Sequence, residues 1–216
     1  MSLGKILEKI QEDLRRREEA RQEIQTAMRK VTRLSKETIF LIHRENLEEA
    51  ERKLEEAKKL LCELDGLSKD YPELAFSGIV NAAFQEYTEA YTFLRLVKER
   101  RFASFEEIDV PGTSYVLGLA DVIGELRRRV LDLVRKGRVE EAEDCLELME
   151  TVYVELTNTE DLYFLVSELR RKCDIARRVI EATRGDVTVE VRRSSLEHSI
   201  MELQKSLKEK EKNAEA

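Results

Sequence analysis

Apolar residues recur along most of this chain at helical spacing. Ile24, Met28, Val31, Leu34 and Thr38 advance by three or four, and so do Leu196, Ile200, Leu203 and Leu207 near the other end, the repeat of one face of an α-helix. The pattern predicts a first helix from about Lys5 to Arg44, unusually long, opening with Ile6, Ile10 and Leu14. Between Leu14 and Ile24 the run RRREEARQE has no apolar face. That part is expected to project from the core, or to meet another chain or a ligand.

Helix punctuation divides the remainder. Asn46 with Glu49 has the spacing of a capping box and opens a second helix ending near Leu64, at Asp65-Gly66. Tyr71-Pro72 places proline in the first turn of a third, which reaches about Arg101. Ser104 with Glu107 precedes a short turn, and Val110-Pro111-Gly112-Thr113 is the strongest breaker. Helices follow over about Ser114 to Lys136, Val139 to Leu156, and the Asn158-Thr159 region to Arg184, where Gly185 is expected to stop the chain. Ser194 with Glu197 opens the last, whose spacing suits packing on a neighbouring helix or subunit. Its Lys/Glu tail, from about residue 208, is expected to fray. With no linker and no repeat of about 20 to 50 residues, one all-α domain is predicted over residues 1–216.

Composition agrees: 42% apolar and 38% charged residues, with eight glycines and two prolines, suit long amphipathic helices. No segment approaches about 18 consecutive apolar residues, and no basic start leads into an apolar run, so a soluble, cytoplasmic chain without a membrane partner is expected. Cys62, Cys145 and Cys173 have no zinc or redox spacing and are expected as reduced core thiols. A net charge of −7 argues against nucleic acid, which is bound through Lys and Arg. Residues 15–44 depart from that average, with nine basic side chains against four acidic ones, a local +5. Residues 45–65 reverse the sign, with Glu48 and Arg52, Glu49 and Lys53, and Glu55 and Lys59 spaced to pair along a solvated outer helix.

Two pairs of acids carry the candidate chemistry. In FQEYTEAYTF, residues 84–93, Glu86 and Glu89 stand three apart, and Glu86 falls on the margin of the stripe formed by Phe76, Ile79, Val80, Tyr87, Ala90, Tyr91, Leu94 and Val97. A marginal Glu is expected to be partly buried, snorkelling or paired with a nearby Arg. In YVLGLADVIGELRRR, residues 115–129, Asp121 and Glu125 are spaced i,i+4 opposite the apolar stripe. A solvated face is the plain reading, but Gly118 and Gly124 each cost helix stability of about 0.8–1.0 kcal/mol relative to Ala and are best tolerated where a backbone or ligand comes close. Four carboxylates from two adjacent helices would make a hard oxygen site for Mg²⁺ or Mn²⁺, the ions that assist phosphodiester hydrolysis. The run Arg127, Arg128, Arg129 follows as a candidate phosphate holder.

SKETIFLIHR (35–44), FQEYTEAYTF with VKER after it, YVLGLADVIGELRRR and ATRGDV (182–187) together resemble the translin family, in its catalytic branch typified by translin-associated factor X, from about residue 15 to about residue 190. The resemblance implies a seven-helix bundle assembling as a homo-oligomer, roughly an octamer, into a closed shell with nucleic acid inside. It implies that Glu86, Glu89, Asp121 and Glu125 form the metal-binding site of an endoribonuclease, with Mg²⁺ as cofactor and Mn²⁺ able to substitute. The translin branch lacks the full set and binds without cutting. The short FASFEEIDVPGTS stretch, in place of a longer eukaryotic insertion, fits a single-component homologue of archaeal type. With the resemblance in place, the basic first helix is expected to line the shell's interior, with Arg33, Lys36 and Arg128 as phosphate contacts, while the acidic second helix faces solvent. The expected substrate is single-stranded or short RNA, with single-stranded DNA a further candidate. A binding shell without catalysis and a plain helical scaffold stay open beside it. His43 and His198, near helix ends, are expected to cap or pack.

Overall fold

The computed structural model describes residues 2–71 and 77–214. Among them every regular element is an α-helix: α1 Leu3–His43, α2 Leu47–Asp70, α3 Gly78–Glu99, α4 Phe105–Ile108, α5 Gly112–Arg135, α6 Val139–Asn158, α7 Glu160–Leu165 and α8 Leu169–Ala214. They pack as two compact units, one of residues up to 122 with 161–169, the other of 123–160 with 170 onward, and α5 runs unbroken from the first into the second. No described helix is long and apolar enough to cross a membrane.

In the first unit α1, α2 and α3 pack on one another. The spacing of α1 is buried as expected: Ile24, Met28, Val31, Ser35, Thr38 and Ile42 advance by three and four. Ala50, Leu54 and Ala57 bury the facing stripe of α2. From α3, Tyr87, Phe93 and Leu94 are fully enclosed, each such side chain stabilising the fold by about 1.5–3 kcal/mol. Two buried hydroxyls bond back along their helices, Thr38 Oγ1 to the Leu34 carbonyl at 2.9 Å and Thr88 Oγ1 to the Phe84 carbonyl at 2.8 Å, and so enter the core satisfied, whereas those of Ser35, Tyr87 and Thr92 are buried without a hydrogen-bond partner among the described residues. Asn46 caps α2, its Oδ1 accepting the Glu49 N–H at 3.4 Å, and Ser104 caps α4, its Oγ accepting the Glu107 N–H at 3.2 Å.

The second unit is built from the latter part of α5 with α6 and α8. It buries Leu126, Val130 and Leu133 of α5, Ala142, Met149 and Val152 of α6, and Cys173, Ala176, Ile180 and Val187 of α8. Arg184 Nη2 joins Glu150 at 2.7 Å, tying α8 to α6. Gly137, at φ +72°, ends α5 as its position predicts.

Several expectations fail. Helix α2 continues through Gly66 to Asp70, and α3 starts at Gly78 after Ser77; Pro72 and Phe76, expected in α3, lie outside the described residues. The helix expected from residue 159 breaks over 166–168, just before the chain leaves the first unit after Leu169. Gly185 and Ser194 then fall inside α8, which remains helical through the Lys/Glu tail to Ala214. The cause is packing: Cys173, Ala176, Ile180, Thr183 and Val187 stay buried at spacings of three and four across Gly185, outweighing the glycine's cost of about 1 kcal/mol. The charges of α2 do not simply face solvent. Lys53 reaches Glu37 of α1 at 3.5 Å instead of Glu49, Glu56 takes Lys30 at 3.1 Å, and Glu51 takes Lys98 of α3 at 2.6 Å. Cys145 and Cys173 are buried free thiols, but Cys62, off the apolar stripe of α2, is exposed.

Candidate active site on helices α3 and α5

The site begins with a glycine. A Cβ placed on Gly118 would lie 2.6 Å from Thr88 Cβ and 2.7 Å from the Gln85 carbonyl oxygen. Real side chains do not come that close, so the backbones of α3 and α5 meet here because position 118 has no side chain. Gly124, the other glycine expected at a close approach, has nothing within 4 Å of an added Cβ and is exposed. The close approach belongs to Gly118 alone of the pair.

This contact orders the acids. Gly118, Asp121 and Glu125 are spaced i, i+3, i+7 and share one side of α5; Gln85 and Glu89 are spaced i, i+4 and share one side of α3. Asp121 and Glu89 therefore each stand about one turn from the point where the helices touch. Glu86, turned roughly 100° from Gln85, faces α1, where Lys36 Nζ lies 3.3 Å from its Oε1. All four acids are half-buried: Glu86 is partly buried and ion-paired as its marginal angle predicts, with Lys36 in place of an arginine, and Asp121 and Glu125 do not form the open solvated face that is the plain reading of their helix. Asp121 belongs to the first unit, and Glu125, one turn later on the same helix, begins within the second.

Carboxylate oxygens are the hard donors that Mg²⁺ and Mn²⁺ take, so the donor set fits such an ion in kind. Among the described residues, no three His, Cys, Asp or Glu side chains gather tightly enough to hold one.

The candidate phosphate contacts disperse. Lys36 serves Glu86, its side chain 63% exposed against 28% for the acid. Arg33, also exposed, has its Nε 3.7 Å from Glu37. The three consecutive arginines point apart: Arg127 Nη2 joins Asp186 of α8 at 2.6 Å, Arg129 lies by Cys145 of α6, and Arg128 is exposed. Burial, as the main influence, raises the Cys145 thiol pKa. An open groove of about 350 Å³ on α1 is lined by Thr26, Arg29, Lys30 and Arg33. The spacing 26, 29, 30, 33 places Arg29 and Lys30 beside Arg33 on one helix side, and Lys30 also pairs with Glu56 of α2. Nearer the start of α1 the basic run is laced with acids: Arg17 pairs with Asp13 at 3.1 Å, Arg21 with Glu18 at 2.8 Å, and Arg16 with Glu12. The local +5 is partly offset by acids just upstream of the counted window. His43 packs on Phe93 with ring centroids 5.1 Å apart, and His198 lies exposed near Glu202.

A different cluster closes the C-terminal end of α3. Glu107 of α4 accepts two bonds from the Arg101 guanidinium, at 2.7 and 2.9 Å, and one from the Tyr91 hydroxyl at 2.8 Å. Arg95 donates to the Tyr91 oxygen at 3.2 Å and pairs with Glu99. The Arg101 grip holds the Glu107 carboxyl down to about 2.

Matches to known proteins show what this frame is. A model of the translin family matches residues 19–183. The chain belongs to the translin family. It is 34% identical over 193 residues to an uncharacterized protein of Methanocaldococcus jannaschii, covering 88% of this chain and 85% of that one. It is 27% identical over 195 residues to the translin-associated protein X homolog of Schizosaccharomyces pombe, covering 82% and 81%. Against translin-associated protein X of Mus musculus the identity is 26% over 184 residues, 67% of this chain and 63% of the mouse protein. Among solved structures, apo-NeC3PO matches with a TM-score of 0.78 at 29% identity, over 85% of this chain and 96% of that one. AfC3PO in complex with duplex RNA matches with a TM-score of 0.77 at 35% identity, over 87% and 97%. The translin-family match takes in all four acids with Arg33, Lys36 and Arg128. It leaves out the first turns of α1, where Ile6, Ile10 and Leu14 are exposed, and the end of α8, where Leu196, Ile200, Leu203 and Leu207 are exposed.

Proposed function

We propose that this translin-family protein is a metal-dependent endoribonuclease that binds and cuts single-stranded or short RNA inside a homo-oligomeric shell, an octamer, in the cytoplasm. The observation that carries this reading is the backbone contact at Gly118, which sets the acid-bearing stretches of α3 and α5 side by side. AfC3PO, 35% identical, was solved with duplex RNA, which supports RNA as the ligand class. The exposed apolar positions at the far ends of α1 and α8 support assembly.

Glu86, Glu89, Asp121 and Glu125 would hold Mg²⁺, or Mn²⁺ in its place. Such an ion, when bound, supplies an activated water and neutralises charge at the phosphate being cut. The chain's own residues position the substrate: Arg33, with Arg29 and Lys30 of the same groove, and Arg128 take phosphate oxygens as charge-assisted partners. One of the four carboxylates serves as general base. Single-stranded DNA fits the same phosphate contacts. A second reading, a shell that binds nucleic acid without cutting it, draws on the absence of any gathered trio of ligands among the described residues.

End-labelled single-stranded RNA incubated with Mg²⁺, Mn²⁺ or EDTA, alongside the Glu125→Gln variant, tests the choice. Cutting is expected to need metal and to fall at least about 100-fold in the variant, with assembly and RNA retention unchanged. RNA that is retained but intact would favour the binding shell, and RNA that is not retained would leave a scaffold.

A further inference from the structure

Lys36 is an unexpected partner for Glu86. A phosphate-binding lysine and a metal-binding glutamate would each be needed elsewhere during turnover, yet their charged ends lie 3.3 Å apart. We propose that Lys36 is a displaceable counter-ion of Glu86 and that its displacement couples divalent-cation binding to RNA binding. The proposal rests on the metal-dependent reading above.

Three properties of the pair support exchange over permanence. At 3.3 Å it is longer than the roughly 2.7–2.9 Å of a strong charge-assisted hydrogen bond. The lysine is 63% exposed, so water competes for its ammonium, and exposed ion pairs of this kind are weak. Lysine carries a point charge on a flexible four-carbon stem and lacks the planar fork that lets Arg101 grip both oxygens of Glu107. The acid beside Lys36 in sequence, Glu37, is shared by Arg33 at 3.7 Å and Lys53 at 3.5 Å. Glu86 is thus the acid on which Lys36 settles.

A divalent cation on Glu86 Oε1 would compete with Nζ for the same oxygen and carries twice the charge. The ammonium it displaces stays tethered to α1, one turn from Arg33, at the edge of the acidic side where a phosphate would have to lie. One arrival therefore removes the lysine from an acid and offers it to an anion. By thermodynamic reciprocity, bound RNA must tighten cation binding by the factor that the cation tightens RNA binding.

Titration of the full chain with Mn²⁺, read by the electron paramagnetic resonance of the free ion and without RNA, separates the outcomes. Lys36→Met is expected to bind Mn²⁺ about threefold to fivefold tighter than the parent, the scale of an exposed ion pair removed. Lys53→Gln, which deletes a positive charge from α2 without touching Glu86, is expected to stay within about twofold, because exposed charges are screened, and Glu86→Gln should bind more weakly. RNA binding measured with and without Mn²⁺ should show a smaller gain from the metal in Lys36→Met than in the parent. Equal Mn²⁺ affinities for Lys36→Met and Lys53→Gln, with Glu86→Gln still weakened, would overturn the counter-ion and leave the metal site standing. No Mn²⁺ binding by the parent chain would overturn both.

Discussion

The first unit holds two charged regions on one helix, and they are built on opposite terms. At the C-terminal end of α3, Glu107, Arg101, Tyr91, Arg95 and Glu99 bond one another through two-pronged or shared contacts, and the central carboxyl is held near 2. Two to three turns earlier, Glu86 has an exposed lysine at 3.3 Å on a long stem. The first region has matched its charges with rigid forks, so it fastens α3 to α4. In the second, Glu86, half-buried near the Gly118 contact, meets a loosely held cation. A region that spends its charge on two-pronged bonds stabilises a fold; an acid whose counter-ion is held lightly can exchange that counter-ion for a ligand.

The strongest way to break this contrast is at Gly118. Gly118→Ala would force a Cβ to within 2.6 Å of Thr88 and should lower stability by about 1–3 kcal/mol, the usual cost of overpacking. RNA cutting should fall further than stability alone explains, as α3 and α5 part. Urea unfolding alongside cleavage rates checks both.

Glu107→Gln should act on the other region only, costing about 1 kcal/mol of stability through weaker bonds to Arg101 and Tyr91 and leaving RNA cleavage intact. Its pH dependence follows from the sign of the shift. A carboxyl lowered from 4.5 to about 2 contributes stability that is present above its ordinary value and is lost as pH falls toward 2. The stability difference between the parent and the variant should therefore shrink across that window, measured as urea midpoints at successive pH values.

Gly124→Ala is the smallest change and sharpens the comparison of the two glycines. Nothing lies within 4 Å of its added Cβ, so the substitution should raise stability by about 0.4–1 kcal/mol, seen as a higher Tm, without altering cleavage.

Much of this was legible in the residues, for reasons that can be named. The caps at Asn46 and Ser104 and the stop at Gly137 read true, but the Ser-x-x-Glu signal at Ser194 lies inside α8. Glycines read false where the signal is only a local cost: Gly66 and Gly185 look like stops, yet the buried spacing from Cys173 to Val187 carries the helix through Gly185. The half-burial of Glu86 followed from its angle beside the apolar stripe. Its partner did not, because periodicity gives a side chain's direction around its own helix and says nothing about which helix it meets. For the same reason Gly118 and Gly124 looked equivalent, and only the packing of α3 against one of them tells them apart.

The absent methyl group at position 118 also works as a rule of inheritance. The acid-bearing stretches of α3 and α5 can be kept this close only while the residue between their helices stays small. A relative that carries all four acids but a bulky residue at this place must part the helices to seat it, and its acids then stand in the right letters at the wrong distance. When would-be nucleases of this fold are sorted from look-alikes, that single position is worth reading before the carboxylates themselves.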